Sequence, residues 1–334
     1  MITNDAVIKN IEEVADNIYK FRLPMPFRLN HINAYLLWEN KQFTLVDTGL
    51  PGSTSWEALT AAFDALNLKI GDLTDIFVTH SHTDHMGQLE RIRQAAPQAR
   101  LRIHHRELEM LQERTTNPIE STQKMHDWLL SNGAADLAAE ELGGNGRLMS
   151  VPAMQPADVA VSGGEKFSLG PTQDSEWQVM WTPGHTAGHF ILHNASRRLM
   201  LSGDHLLGQI SSNVGKYPGS TPDPLGDYLN SLQKIAALDL QKVLPAHGMP
   251  FDDYRERIAE LTHHHHERLD KMYAAVEGKP TTAGEVVKYV WGDRLKDFDR
   301  YLALFETLSH LHRLVLDNKL VVESQGGITY YRVA

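Results

Sequence analysis

The chain has 334 residues, a formal net charge of −10 at pH 7, 18 histidines and no cysteine. This length suggests one large domain with a smaller one. The acidic balance disfavours a general affinity for nucleic acid or an anionic membrane, because both select basic surfaces. The missing cysteines exclude disulfides and thiolate metal ligands. The histidines are therefore the first place to expect chemistry.

The start of the chain lacks the features of a targeting signal. Its first 19 residues include acidic side chains at positions 5, 12, 13 and 16 and lack the apolar core of a signal peptide. No window approaches the roughly 18 apolar residues that a membrane span needs. We expect a cytoplasmic protein with no membrane association.

Strands and helices alternate in the first half of the chain. Alternating apolar residues predict strands at 17–23, 33–38, 43–46 and 75–79. Apolar residues at helical spacing predict helices at 55–67 and 86–95. This alternation favours a layered α/β domain. Residues 105–146 are mostly helical in pattern, and the segment is either a lid over a site or a surface excursion.

Strand patterns return in the second half, followed by helices. The strands are predicted at 159–163, 165–169, 178–184, 189–194, 197–203 and 242–245, with a helix at 227–238. A charged helix is predicted at 251–277, then helices at 282–290 and 297–317 and a hairpin around 325–327. Helices followed by a hairpin predict a small winged-helix-like module. The histidine run 263–266 predicts a polar helix face, because consecutive residues spread around a helix.

The strongest chemical pattern is His-x-His-x-Asp-His, at His80, His82, Asp84 and His85. The first two histidines are two residues apart in an extended segment, so they point to the same side. The last two ligand-type residues follow across a turn. Imidazole and carboxylate groups suit zinc. A histidine-rich polar loop is the alternative, which four such residues directly after a buried strand disfavour.

Three further strands end at a turn that presents a ligand-type residue. Thr-Pro-Gly presents His185, Ser-Gly presents Asp204, and Pro-Ala presents His247. One such histidine alone would be an ordinary polar residue. Three strand ends together with the first cluster predict a common site.

These segments, THSHTDH, TPGHTAGH, SGDH and PAHG, occur in this order with Val46-Asp47-Thr48-Gly49 upstream. The pattern resembles the metallo-β-lactamase-fold hydrolase superfamily over about residues 15–250. The tail resembles the winged-helix-like domain of the glyoxalase II-like and β-lactamase-like protein 2 branch. The resemblance implies an α/β fold, a four-layer αββα sandwich with a small C-terminal winged-helix-like α+β domain. The implied division is a catalytic domain at 1–250 with a helical insertion at about 105–150, a connecting helix at 251–280 and the winged-helix-like domain at 281–334.

The resemblance also implies a role for each residue of the site. The first metal would be bound by His80, His82 and His185, the second by Asp84, His85 and His247, with Asp204 bridging both. Asp47 would lie behind the ligands and orient them. His189 would either do the same or stabilise a turn. Two Zn²⁺ per chain are the expected cofactors, with manganese or iron as alternatives.

Two differences between this sequence and related subgroups of the superfamily restrict the range of expected activities. Typical zinc β-lactamases place a cysteine in the second site, and this chain has none, so antibiotic hydrolysis is disfavoured. Oxygen-reducing di-iron relatives resemble His-x-Glu-x-Asp-His, whereas this chain has His82 at the second position. The histidine favours a hydrolytic zinc site over redox iron.

The resulting hypothesis is a dinuclear metal-dependent hydrolase. A metal-bridging hydroxide would attack a small ester, thioester or lactone, with Asp84 as the catalytic residue that accepts a hydrogen bond from the nucleophile. The alternatives are a metal-dependent nuclease or phosphodiesterase and a nucleic-acid-binding regulator. Residues 281–334 carry seven basic and seven acidic side chains, so the tail offers no basic recognition face. A small molecule is the expected partner, and the apolar stripe at 302–314 packs on the catalytic domain or on a second subunit in a homodimer.

Candidate substrate contacts come from two loops. One lies between the first two predicted strands, where relatives place a loop over the site, and the other follows Asp204. The candidates are Met25, Phe27, Arg28, His31, Ser212, Asn213 and Tyr217. A packed surface turn is the alternative for the first loop.

Overall fold

The computed structural model describes residues 10–142, 157–295 and 298–334. A seven-stranded sheet runs in chain order from β1 to β7. Its strands are β1 Ile11–Ala15, β2 Ile18–Pro24, β3 His31–Glu39, β4 Gln42–Val46, β5 Asp75–Phe77, β6 Arg100–His104 and β7 Val159–Val161. Neighbours from β1 to β4 are antiparallel, and those from β4 to β7 are parallel.

A second sheet has five strands in the order β12-β11-β10-β9-β8. These strands are β8 Lys166–Ser168, β9 Glu176–Trp181, β10 Phe190–Asn194, β11 Leu199–Gly203 and β12 Lys242–Pro245. Only the β11–β12 pair is parallel among the pairs described.

Helices flank the sheets, and a hairpin ends the chain. The helices are α1 Ser53–Ala65, α2 Thr83–Met86, α3 Leu89–Ala95, α4 His105–Thr116, α5 Pro118–Ser131, α6 Ala135–Leu142, α7 Pro224–Ala236, α8 Tyr254–Val276, α9 Ala283–Trp291 and α10 Phe298–Leu316. The hairpin strands are β13 Leu320–Gln325 and β14 Ile328–Val333. No helix in the described ranges has both the length and the apolar character needed to cross a bilayer.

The two sheets pack face to face. Side chains from both, including Phe77 and Phe190, form one buried cluster between them. The outer face of the first sheet packs on α1 and α3, and that of the second packs on α7 and α8. Alternate residues of a strand point to opposite faces, so each sheet buries both sides. The predicted four-layer αββα sandwich is confirmed.

Strand direction gathers the ligand-bearing loops at one edge. The parallel pair β4–β5 ends just before Asp47 and His80, and the parallel pair β11–β12 ends just before Asp204 and His247. Carboxyl ends of parallel strands lie at the same edge of a sheet. This edge is therefore where the loops can meet, as in other open α/β sheets.

The predicted elements are present with shifted ends. Strand β1 is an addition that the sequence pattern did not predict. The helix predicted from residue 86 is preceded by one turn, α2, which carries Asp84 and His85. The predicted insertion includes α4, α5 and α6, and its part from residue 143 lies outside the described residues.

The C-terminal helix α10 packs against the insertion and the loop after β11. Phe305 of α10 contacts the rings of Trp128 in α5 and Tyr217 after β11. Arg300 of α10 pairs with Glu140 in α6 at 2.6 Å. The apolar stripe thus packs on the catalytic part of the chain, one of the two expected arrangements. The winged-helix-like character of residues 281–334 stays a prediction.

One expectation for this region is wrong in part. The histidine run 263–266 does not form a uniformly polar face, because His265 is buried with 1% of its surface exposed. Its Nδ1 lies 3.1 Å from Nε2 of His310 in α10, and its ring packs on Tyr228 of α7. Residue i and its neighbours i+1 and i−1 face different directions on a helix, so one member of a polar run can point inward.

Candidate metal centre

Three imidazole nitrogens converge at the sheet edge. His80 Nε2 lies 2.9 Å from His82 Nδ1, and His185 Nε2 lies 3.2 Å and 3.1 Å from these two atoms. A tetrahedral zinc ion with Zn–N distances near 2.05 Å needs nitrogens about 3.3 Å apart. The triangle therefore has the spacing of three ligands of one ion. We call these three residues the first donor group.

A second set of donors lies beside it. His247 Nε2 is 3.3 Å from Asp84 Oδ2, and His85 Nε2 is 3.7 Å from the same oxygen. We call Asp84, His85 and His247 the second donor group. The two groups share the segment after β5, whereas His185 follows β9 and His247 follows β12. The sequence predicted that these segments converge.

Asp204 lies between the two groups. Its Oδ2 is 3.6 Å from His185 Nε2 in the first group. Its Oδ1 is 3.4 Å from Nε2 of both His85 and His247 in the second group. One carboxylate thus presents a separate oxygen to each group, which is the geometry of a bridging ligand.

The donor atoms fit divalent cations. His85 Nε2 and Asp204 Oδ1 are buried and have no hydrogen-bond partner among the described residues. Leaving a buried polar atom unpaired costs about 1–3 kcal/mol. A cation at this position would satisfy both atoms, and the nitrogen and carboxylate donors match those that zinc accepts. Among the described residues, two clusters here have donors that could hold a metal ion, one made of the first group with Asp204 and one made of the second group.

The protonation of the two groups differs. Burial lowers the pKa of His80 well below its ordinary value and the pKa of His82 to about 3. Burial alone would lower the pKa of His247, but the carboxylates of Asp204 and Asp84 raise it to about 10. The first group therefore offers neutral imidazoles. In the second group a cation has to displace a proton, as metal binding to histidine generally does.

Asp47 fixes His85 from behind. Its Oδ2 lies 2.8 Å from His85 Nδ1, and its Oδ1 accepts the backbone N–H of Thr79 at 2.8 Å. Asp47 has a φ of 61°, in the left-handed region that few non-glycine residues adopt. Strained backbone of this kind clusters at functional sites. The carboxylate leaves His85 Nε2 facing the centre, as the predicted orienting role requires.

Backbone and hydroxyl groups fix His185. The carbonyl of Asn213 lies 2.8 Å from His185 Nδ1, and Ser212 Oγ lies 3.0 Å from the same nitrogen. Ser212 also donates to the carbonyl of Asp204 at 2.5 Å. The hydroxyl therefore binds two residues of the site itself, whereas the sequence pattern had suggested it as a substrate contact.

His189 supports the backbone of Asp204. Its Nε2 accepts the backbone N–H of Asp204 at 3.1 Å, and its Nδ1 lies 3.0 Å from Thr182 Oγ1. The ring is completely buried. It lies behind Asp204 and contacts that residue through the backbone.

The loop of His247 is held by the first sheet. The carbonyl of His31 accepts a hydrogen bond from His247 Nδ1 at 2.9 Å. Asn33 donates to the carbonyls of Pro245 and Gly248, and Tyr35 donates to the former. Sequence reasoning missed Asn33 and Tyr35, because both lie in an ordinary strand more than 200 residues before the loop.

The remaining substrate candidates have different surroundings. Phe27 and Arg28 are exposed in the loop between β2 and β3, whereas Met25 is buried. His31 is partly buried, and burial together with Arg22 lowers its pKa to about 4. Tyr217 packs on Phe305, and burial raises its pKa to about 12. Phe27 and Arg28 are the candidates best placed to meet a ligand from solvent.

Comparison with known families agrees with this geometry. A model of the Metallo-beta-lactamase superfamily matches residues 28–247, and a model of the Metallo-beta-lactamase-like, C-terminal domain matches residues 269–334. The chain belongs to the metallo-β-lactamase superfamily. It is a metal-dependent hydrolase of that fold, with a His/Asp cluster for divalent metal ions.

Individual relatives support the same class. The probable metallo-hydrolase YqjP of Bacillus subtilis is 24% identical over 326 residues, covering 95% of this chain and 98% of the relative. The acyl-coenzyme A thioesterase MBLAC2 of Bos taurus is 29% identical over 239 residues, covering 66% and 75%. The crystal structure of a metallo-beta-lactamase family protein from Thermus thermophilus is 28% identical, with a TM-score of 0.81 and coverage of 96% and 100%.

Proposed function

We propose that this protein hydrolyses thioesters of small acyl groups at a dinuclear zinc centre. The observation that carries the proposal is the position of Asp204, whose two oxygens face two separate donor groups. A single-ion site would not need a carboxylate arranged in this way. Manganese or iron could occupy the same nitrogen and oxygen donors, since affinity does not fix metal identity.

Each donor group has a role toward the cations. His80, His82 and His185 would hold the first ion, and Asp84, His85 and His247 the second, with Asp204 between them. When bound, two such cations lower the pKa of a shared water and polarise the carbonyl oxygen of the substrate. Asp47 and His189 keep the ligands oriented from behind.

Asp84 is the residue to which we assign the orientation of the attacking water. It belongs to the second donor group through Oδ2, and its side chain is partly exposed, whereas His85 is completely buried. Burial alone would raise the pKa of Asp84, but His85 and His247 lower it to about 2. The carboxylate can therefore accept a hydrogen bond from an attacking water and orient it.

The surroundings of the site favour an apolar acyl group. Three large apolar side chains are exposed in loops at this edge, with 55%, 42% and 57% of their surface accessible for Phe27, Ile210 and Met249. Ile210 follows Asp204 by six residues, and Met249 follows His247 by two. Apolar side chains in loops that adjoin polar ligand residues are typical of ligand sites. The thioesterase activity named for MBLAC2 is consistent with this environment.

Several wider assignments belong to the same proposal. We assign residues 1–250 to the catalytic domain, 251–280 to a connecting helix and 281–334 to a winged-helix-like domain. The tail is electrically balanced, with seven basic and seven acidic residues, which disfavours a nucleic-acid substrate. A cytoplasmic location would give access to acyl thioesters.

The proposal is tested with a panel of substrates and defined metal content. Purified protein, stripped with a chelator and reloaded with Zn²⁺, is assayed on acyl-coenzyme A esters of increasing chain length, lactones, aryl esters and phosphodiesters. We expect the highest kcat/KM on a thioester, two bound ions per chain and loss of activity on stripping. A preference for phosphodiesters, or full activity without metal, would refute the proposal.

A further inference from the structure

A buried carboxylate outside the predicted ligand set lies next to the metal centre. Glu107 is in the first turn of α4, and none of its surface is exposed. Burying a charged group is costly unless it is paired or hydrogen-bonded. Its partners therefore indicate what the residue is for.

The partners of Glu107 are all hydrogen-bond donors. Its Oε2 accepts the backbone N–H of Ser81 at 2.9 Å and also the hydroxyl of Ser81. Its Oε1 accepts the backbone N–H of Gly188 at 2.7 Å. Three donors around two oxygens match a carboxylate, which accepts hydrogen bonds and donates none.

These donors belong to the two loops that carry the first donor group. Ser81 lies between His80 and His82, and Gly188 follows His185 by three residues. One side chain thus ties together the loops of all three imidazoles. No hydrogen bond from the Glu107 carboxylate to the second donor group occurs among the described residues.

The fit between Glu107 and Gly188 is close. A Cβ atom at position 188 would lie 2.7 Å from Glu107 Cγ and 2.9 Å from Oε1. Real Cβ atoms do not approach other heavy atoms so closely, so the loop comes near to the carboxylate only because residue 188 is glycine. The contact is therefore a built feature of the packing.

We propose that Glu107 is a positioning residue for the first metal, acting through the loops of His80, His82 and His185. The proposal rests on the two-metal centre proposed above. It also assigns a role to α4, the start of the helical insertion. This helix is part of the scaffold of the site.

The test compares metal affinity at each group separately. Metal-free protein is titrated with Co²⁺ and followed by its visible absorbance, in a His247→Ala background that keeps the first group and in a His82→Ala background that keeps the second. In the Glu107→Gln variant the glutamine cannot accept hydrogen bonds from both loops, because its Nε2 is a donor. We expect about a 10–100-fold loss of affinity at the first group, the usual effect of removing a residue that orients ligands, and an unchanged second group.

Two further variants complete the test. Glu109→Gln changes an exposed carboxylate two residues along the same helix and should leave both affinities unchanged. Ser81→Ala removes only the hydroxyl contact and should weaken the first group to a smaller extent. It replaces Glu107→Gln if circular dichroism shows that this variant does not fold.

The outcomes separate this inference from the proposed function. Equal losses at both groups, no loss at the first group or a loss only at the second would overturn the role of Glu107. Failure of the unmodified protein to bind any Co²⁺ would refute the metal centre itself. A loss of Co²⁺ affinity at the first group alone supports the inference, whichever substrate the enzyme accepts.

Discussion

The orientation of three of the five imidazoles depends on what their second nitrogen contacts. Nδ1 of His85 contacts Asp47, Nδ1 of His185 contacts Asn213, and Nδ1 of His247 contacts His31. In each case Nε2 is left facing the centre. Such contacts fix the tautomer and the direction of a ligand before a metal arrives. The donor atoms are therefore set by residues that do not themselves bind the ion.

Asp47→Asn tests this dependence at one position. Asparagine tolerates a positive φ, so the backbone can be kept. It has one acceptor oxygen and cannot serve both Thr79 and His85. We expect about a 10–100-fold lower metal affinity, measured by Co²⁺ titration of metal-free protein. Asp64→Asn is the control, since Asp64 forms only an exposed ion pair with Lys69, and equal affinities for the two variants would contradict the prediction.

Asp84→Ala tests the proposed role of Asp84 as a ligand that orients the attacking water. The variant loses a ligand and the oxygen that would orient the water, so we expect kcat to fall by about 10²–10⁴-fold. The fold should remain, because the side chain is partly exposed and is not part of the core. Steady-state kinetics with circular dichroism as a check provide the measurement. A kcat within about threefold of that of the unmodified enzyme would disprove the role.

At the scale of elements, α10 reaches the loop that holds His185. The side chain of Asn213 donates to the carbonyl of Leu302 at 3.2 Å, while the carbonyl of Asn213 accepts from His185. The backbone N–H of Lys216 donates to the carbonyl of Phe305 at 3.0 Å. The C-terminal helix therefore supports the metal centre through one intervening loop.

Phe305→Ala tests the contribution of this helix. The ring is buried with 3% exposure and packs between Trp128 and Tyr217. Truncating a buried phenylalanine costs about 3–5 kcal/mol, so the free energy of unfolding in urea should fall by this amount. Tyr289→Ala on α9 is the control, since that ring is 65% exposed. A similarly small change in the free energy of unfolding of both variants would show that α10 contributes little to stability.

At the scale of the whole molecule, a buried histidine pair joins three helices. His265 of α8 lies against His310 of α10 and Tyr228 of α7. Burial lowers the pKa of His265 to about 2 and that of His310 to about 4. Nearby charges are Arg268, which lowers both values, and Glu306. The folded protein therefore keeps both rings neutral at a pH where the unfolded chain gains protons.

This pair predicts a specific pH dependence of stability. Below the unfolded pKa near 6.5 the unfolded chain binds more protons than the folded one, so stability falls with decreasing pH down to the folded values. Between about pH 7.5 and pH 5.5 each such histidine contributes a loss of about 1.4 kcal/mol. Over this range the free energy of unfolding of the metal-free unmodified protein should fall by about 1.4 kcal/mol more than that of the His265→Leu variant. The measurement is urea unfolding, and an equal decrease in stability for both proteins would contradict the prediction. Both proteins contain the same ligand histidines, so the contribution of these residues is the same on both sides of the comparison.

The sequence by itself determined the class of fold and the ligand-type residues of the site. Strand and helix periods depend on local spacing, so the sequence shows them. The His-x-His-x-Asp-His cluster and the three strand ends can likewise be recognised from the sequence alone. The family resemblance then assigned a role to the residues of these segments. The separation into two donor groups with Asp204 between them became measurable only when the loops were brought together.

The tertiary structure alone decided which other residues support the site. Glu107, Asn33 and Tyr35 belong to no motif, because they reach the centre across sheet and helix contacts that no fixed spacing encodes. It also decided that His265 is buried while its neighbour His263 is exposed. The physical reason is the same in each case. Local periodicity is set by the backbone, whereas a side chain's partners depend on which distant surfaces pack against it.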